Sequence, residues 1–176
     1  MFKSYYKNKQ LKNTAHEIYG SIVAQSRKPV FYATWNIPDT IEGRFEVLVM
    51  HMALFIHRMD QIGPDGASFG QLVAEAFIDD LDGSFREMGV GDLAVPKRMK
   101  AASEAYLGRL LTYNGALKNK NRAELVIGIS RNMINDENRE TAQVDALADY
   151  MLRSSDRLGT QELDQVLSGQ LVFADT

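Results

Sequence analysis

The sequence predicts an all-α fold, a single-domain helical bundle of about seven helices around a very apolar central helix at about residues 40–62. Three observations carry this prediction. Apolar residues recur near a 3.6-residue period in seven stretches, most with start and stop chemistry at their ends. No stretch sustains the two-residue alternation of a strand. The chain has 176 residues, 45% apolar and 24% charged, which is one ordinary globular unit able to bury about 70% of its unfolded surface.

The elements follow in order. Thr14 and Glu17 have capping-box spacing, and Ile18, Tyr19, Ile22 and Val23 then form a stripe that Pro29 closes. Asp39 or Thr40 can cap the second helix, which reaches about Ile62 before Gly63-Pro64-Asp65-Gly66. Its middle, from Val47 to Ile56, is apolar almost all round, as in a helix surrounded by others. Ser68 and Gln71 offer another capping box, ahead of Phe69, Leu72, Val73, Ala76, Phe77, Leu81, Phe85 and Met88, with Gly89 and Gly91 as the stop. Asp92 can cap a helix holding Pro96, Met99, Ala102, Tyr106, Leu110 and Leu117. Asn121 with Glu124 starts a shorter one ending near Ile134, Glu140 to Leu158 is the sixth, and Thr160 opens a last one to Leu167. Residues 29–38 and the 170–176 tail read as irregular, and residues 1–12 as a basic N-terminal segment.

Composition excludes several classes of function. With no cysteine there are no disulfides, zinc-thiolate sites, iron–sulfur clusters or thiol nucleophiles. Twenty basic against 23 acidic residues gives −3, without the basic excess of a dedicated nucleic-acid binder. No apolar run approaches the roughly 20 residues needed to cross a bilayer, and the first twenty residues have no signal-like core. These features together read as a soluble, intracellular protein. Charge is nevertheless uneven. Residues 1–28 carry six cations against Glu17 alone, and Phe2, Tyr5, Tyr6 and Leu11 interleave with the lysines. An anionic membrane surface is the partner such a segment would suit, a peripheral scaffold being one resulting reading.

Motifs for catalysis are thin. His51 and His57 are about 240° apart around a helix and cannot ligate one metal as neighbours on a face. His51 reads as a neutral core imidazole, and nothing in the spacing singles out a His–Met haem site. Asp79, Asp80 and Asp82 invite a magnesium-dependent helical enzyme of the isoprenoid-diphosphate type. Their spacing does not return carboxylates to one face, and there is no second cluster. With Phe77 at zero, Asp80 falls at about 300°, on the apolar side, where it needs a cationic or donor partner. Arg44, Arg98, Arg109, His51 and His57 are candidates, and Asp80 and Arg44 are expected as buried structural charge. No cofactor is called for.

One string is more specific. Phe85-Arg86-Glu87-Met88-Gly89-Val90-Gly91-Asp92-Leu93, followed by Pro96-Lys97-Arg98-Met99-Lys100, resembles the signature of the ubiquinol–cytochrome c chaperone family. Residues 18–27, Phe31-Tyr32, Pro38-Asp39-Thr40, Gly43-Arg44-Phe45-Glu46 and Ala105-Tyr106-Leu107-Gly108-Arg109 are similar to further family segments, Leu107 standing where an aromatic is expected. The likeness covers about residues 16–134, and residues 135–176 match nothing. It implies an α-helical, non-enzymatic assembly chaperone for newly made cytochrome b, in a bacterial setting peripheral to the inner membrane, with a small protein co-chaperone beside it. The residues expected to touch partners are Phe31, Tyr32 and Trp35 in the irregular connection, and Lys97, Arg98, Met99, Lys100 and Arg109. The basic knot opposes the dipole at a helix start, a local cost that binding would explain.

Overall fold

Thr40 begins the helix that organises the molecule. Its hydroxyl accepts from the Gly43 amide at 3.1 Å, satisfying an amide that the first helical turn leaves open. In the computed structural model, which describes residues 2–133 and 141–176, this is α3 (Ile41–Ile62) of a chain that is helical almost throughout. The others are α1 (Phe2–Ser26), α2 (Val30–Ala33), α4 (Pro64–Glu87), α5 (Val95–Lys118), α6 (Arg122–Met133), α7 (Thr141–Gly159) and α8 (Leu163–Leu167). The architecture is the expected all-α bundle, α2 and α8 being about one turn each.

Residues 49–55 of α3 are buried in unbroken succession, and α1, α4, α5, α6 and α7 all pack on this helix. Its neighbours approach closely where side chains are absent. A Cβ on Gly43 would strike the Pro38 carbonyl, and one on Gly66 would strike the Met59 carbonyl. Gly63, at φ +106°, makes the reversal between α3 and α4, a conformation that L side chains rarely adopt. Between α5 and α6, a Cβ on Gly128 would lie 2.9 Å from Thr112 Cγ2.

Several helix starts differ from expectation, each for a local reason. α1 runs through from Phe2, so Thr14 and Glu17 lie within it. Pro64, whose missing amide costs nothing in a first turn, starts α4. Ser68 is therefore inside α4, its hydroxyl donating to the Pro64 carbonyl at 2.8 Å. Asp92 does not cap α5. Ala94 occupies that position, and the Asp92 carboxylate accepts from Arg86 at 3.1 Å. Residues 29–38 are not wholly irregular, since α2 forms a turn there. Asn121 does cap α6, accepting from the Glu124 amide at 3.3 Å. The predicted boundaries at Ile134 and Glu140 lie outside the described residues.

The tail after α8 has no regular structure but is fastened. Gln161 donates to the Val172 carbonyl at 2.7 Å and accepts from the Val172 amide at 2.9 Å. That clamp seats Phe173 in the core, edge-on to His51 at 5.0 Å between centroids.

Candidate client-binding surface

Phe31 and Trp35, expected as partner anchors, lie inside the protein. α2 and the residues after it turn both rings inward, 5.2 Å apart and edge to face, against Tyr150, with Phe31 also edge-on to His51. Tyr32 is half-buried and donates to the Ser26 carbonyl at 2.8 Å. These aromatics seal the end of the bundle. Beneath them runs a polar chain the sequence did not announce. His51 Nδ1–H donates to the Val47 carbonyl at 2.7 Å, which leaves Nε2 to accept from the Tyr150 hydroxyl at 2.8 Å. Gln25 donates to the same hydroxyl at 2.9 Å. Burial pushes the His51 imidazole down to about 4, so it is the neutral core histidine expected.

The basic residues divide. Lys97, Arg98 and Lys100 are exposed in the first turns of α5, with Met99 half-buried beneath them. Arg109, placed with them from sequence, is engaged elsewhere. Its guanidinium donates to both Glu46 oxygens, at 2.7 and 3.1 Å, and this largely buried pair ties α5 to α3. The bond to Glu46 holds the Arg109 guanidinium above its ordinary range.

The expected buried charges are corrected too. Arg44 is 60% exposed and pairs with Asp39 at 2.6 Å. Asp80 is exposed and has a neutral donor, the buried Tyr19 hydroxyl, at 2.7 Å. Helical angle placed Asp80 beside the apolar stripe, but the residue is open to water. Burial, and then the hydrogen bond to Asp80, hold the Tyr19 phenol above its ordinary range. Asp82 goes to Arg86 at 2.6 Å. Among the described residues, no three His, Cys, Asp or Glu side chains gather as a metal site would require.

The most specific string proves to be a turn. Arg86 bridges Asp82 and Asp92, while Gly89, at φ +75°, lets the Val90 amide return to the Phe85 carbonyl at 3.2 Å. Among the charges of this turn two apolar side chains are exposed, Met88 by about half and Leu93 by 99%. Farther along, Leu107 (57%) and Leu111 (78%) stand out from α5, and Ile127 (64%) from α6. Leu111 and Ile127 line a trough of about 320 Å³ with Thr112, Gly115, Glu124 and Arg131. Sequence reading missed these aliphatics. Their signal was present, since Leu107 and Leu111 fall off the stripe that contains Tyr106, Leu110 and Leu117.

Acids paired at the surface, His51 and His57 held in the core and several aliphatics left in water describe an all-α protein whose exposed apolar side chains suit contact with other macromolecules. The sequence profile of the ubiquinol–cytochrome C chaperone family matches residues 33–173, and the chain belongs to that family. The match continues through the stretch after residue 134, which had resembled nothing. Relatives include ubiquinol–cytochrome-c reductase complex assembly factor 1 of Xenopus laevis, 21% identical over 96% of this chain and 84% of that protein. The assembly factor 1 of Mus musculus is 22% identical over 94% of this chain, which spans only 56% of the mouse protein. A crystal structure of the Cbp3 homolog from Brucella abortus superposes with a TM-score of 0.86 at 32% identity, covering 99% of this chain and 97% of that one. The frog and mouse relatives are named as assembly factors, and the chain, as a member of this chaperone family, is a non-enzymatic assembly factor.

Proposed function

We propose that the protein holds newly made cytochrome b during assembly of the ubiquinol–cytochrome c reductase, acting from the cytoplasmic side at the membrane where that complex is built. The observation that carries the reading is the family match over residues 33–173, together with the fold shared end to end with the Cbp3 homolog. The surface supports it. The α4–α5 turn offers Leu93 and Met88 to a greasy partner, with Lys97, Arg98 and Lys100 beside them for its polar flanks. A small protein co-chaperone shares the task in this reading. No helix among the described residues is long and apolar enough to cross a membrane, so the contact is peripheral as far as these helices are concerned.

The test is genetic and biochemical. Removing the gene should lower assembled reductase several-fold while the cytochrome b transcript stays constant, and co-purification from membranes should recover cytochrome b. Normal reductase in the deletion strain defeats the proposal. A Leu93→Asp variant that folds normally should lose the captured client.

A further inference from the structure

We propose that the outer face of α5, with Ile127 of α6 beside it, is the surface by which the protein lies against an anionic bilayer, a proposal that rests on the assembly role for its purpose and not for its geometry. With Gly108 at zero, Leu107, Lys118, Lys100, Leu111, Glu104 and Lys97 fall within an arc of about 80°. Tyr106, Tyr113 and Leu117 occupy the opposite, buried side. The two leucines are thus bracketed along one face by lysines, and Lys100 and Lys118 lie about 27 Å apart at 1.5 Å per residue.

Cations outnumber anions on this face, Lys97, Lys100 and Lys118 standing against Glu104. Exposed cations elsewhere divide between Arg44, Arg86, Lys120 and Arg122, each with a carboxylate within 3.2 Å, and others such as Lys28 and Arg157 that make no ion pair among the described residues. Lys97 and Lys118 have no ion-pair partner among the described residues, and Lys100 meets Glu104 only at 3.8 Å. Gly108 and Gly115 add no bulk, and a Cβ on either would meet nothing within 4 Å, so the leucines stand clear of the helix surface.

That pattern selects its occupant. A second copy of the chain would set Lys97 and Lys100 against lysines whether the two α5 helices ran parallel or antiparallel. An anionic bilayer meets both demands at once, taking the aliphatics at acyl depth and giving phosphates to the cations. The chain as a whole carries −3, so only an orientation that presents a basic face avoids repulsion from such a membrane. Three aliphatics and a few cations make a reversible tether, sensitive to salt.

The experiment is co-sedimentation of the full chain with vesicles of phosphatidylglycerol and phosphatidylethanolamine, against vesicles of phosphatidylcholine alone. Binding should be at least tenfold stronger to the anionic vesicles and should fall in 0.5 M salt. Lys97→Gln, Lys100→Gln and Lys118→Gln together should weaken it about a hundredfold, each cation being worth roughly fivefold. Leu107→Glu with Leu111→Glu should weaken it at least tenfold, with helicity and the urea midpoint confirming the fold. Substituting Lys3, Lys7, Lys9 and Lys12 by Gln should change it less than threefold. Equal binding to neutral vesicles, parental binding by both α5 variants, or loss confined to the N-terminal variant would each overturn the proposal. Reductase assembly is scored separately. A protein that sustains assembly without binding vesicles, or that captures an acidic partner through this face instead, defeats the membrane face and leaves the assembly role intact.

Discussion

His51 is neutral at pH 7 because burial outweighs the one contact that favours its charge, the bond to the Val47 carbonyl. Its two nitrogens are committed to Val47 and Tyr150, and burial lowers its pKa to about 4. Below its ordinary value of 6.5 the unfolded chain binds a proton that the folded chain refuses, so stability is full above that value and falls as pH drops towards 4. The loss should reach about 2 kcal/mol at pH 5. Urea unfolding at pH 5 and 7 measures it, and His51→Gln should remove most of the difference. His57, also lowered by burial, adds in the same direction. Lys120 supplies a second test. It ends α5 at φ +49°, letting the Asn121 amide reach the Ala116 carbonyl at 2.8 Å, in a place where glycine is unstrained. Lys120→Gly should stabilise the protein by about 0.5–1 kcal/mol in thermal unfolding. The exposed pair with Asp156 that is lost contributes little. At this scale the sequence conveyed His51 as a core residue from its apolar surroundings. It could not convey Tyr150 as the partner, since the two stand 99 positions apart and meet only in the folded chain.

At the scale of elements, periodicity located the long helices because each buries a stripe, and a stripe is a local property. Starts were read less well. Ser68 and Thr14 have capping spacing, but a helix begins at the first residues able to leave the extended state, and Pro64 and Phe2 come earlier. Packing between elements was not legible at all. Gly66 and Gly115 look alike in the sequence. Gly66→Ala should cost about 3 kcal/mol, because the Met59 carbonyl and Ile62 Cβ, 2.7 Å away, occupy the space a methyl needs. Gly115→Ala should instead gain up to about 1 kcal/mol, because its Cβ meets nothing and alanine is the better helix former. Denaturant midpoints of the two variants should move in opposite directions.

For the whole molecule, the candidate site was legible where it coincides with a motif and illegible where it depends on which helices cover one another. The exposure of Lys97, Arg98 and Lys100 at a helix start was legible, because a knot of cations beside a distinctive string is a local signal. Phe31, Trp35 and Arg109 were misplaced for the opposite reason, since only tertiary packing decides whether an aromatic in a connection points out, or which carboxylate an arginine meets. The tail illustrates the same dependence. Phe173 belongs to the core although the chain around it has no regular structure. Phe173→Ala should cost about 3 kcal/mol in urea unfolding, as for a buried aromatic inside a helix.

The encirclement of α3 bears on how the protein is born. α1 and α4 flank α3 in sequence and pack on it and on each other, so the first half of the chain can gather as it leaves the ribosome. The sides of α3 that α5, α6 and α7 will cover stay bare until those helices have been synthesised. During that interval the nascent chaperone displays the kind of sticky intermediate surface that it is proposed to shield on its client, and slow translation beyond residue 90 should therefore favour its aggregation.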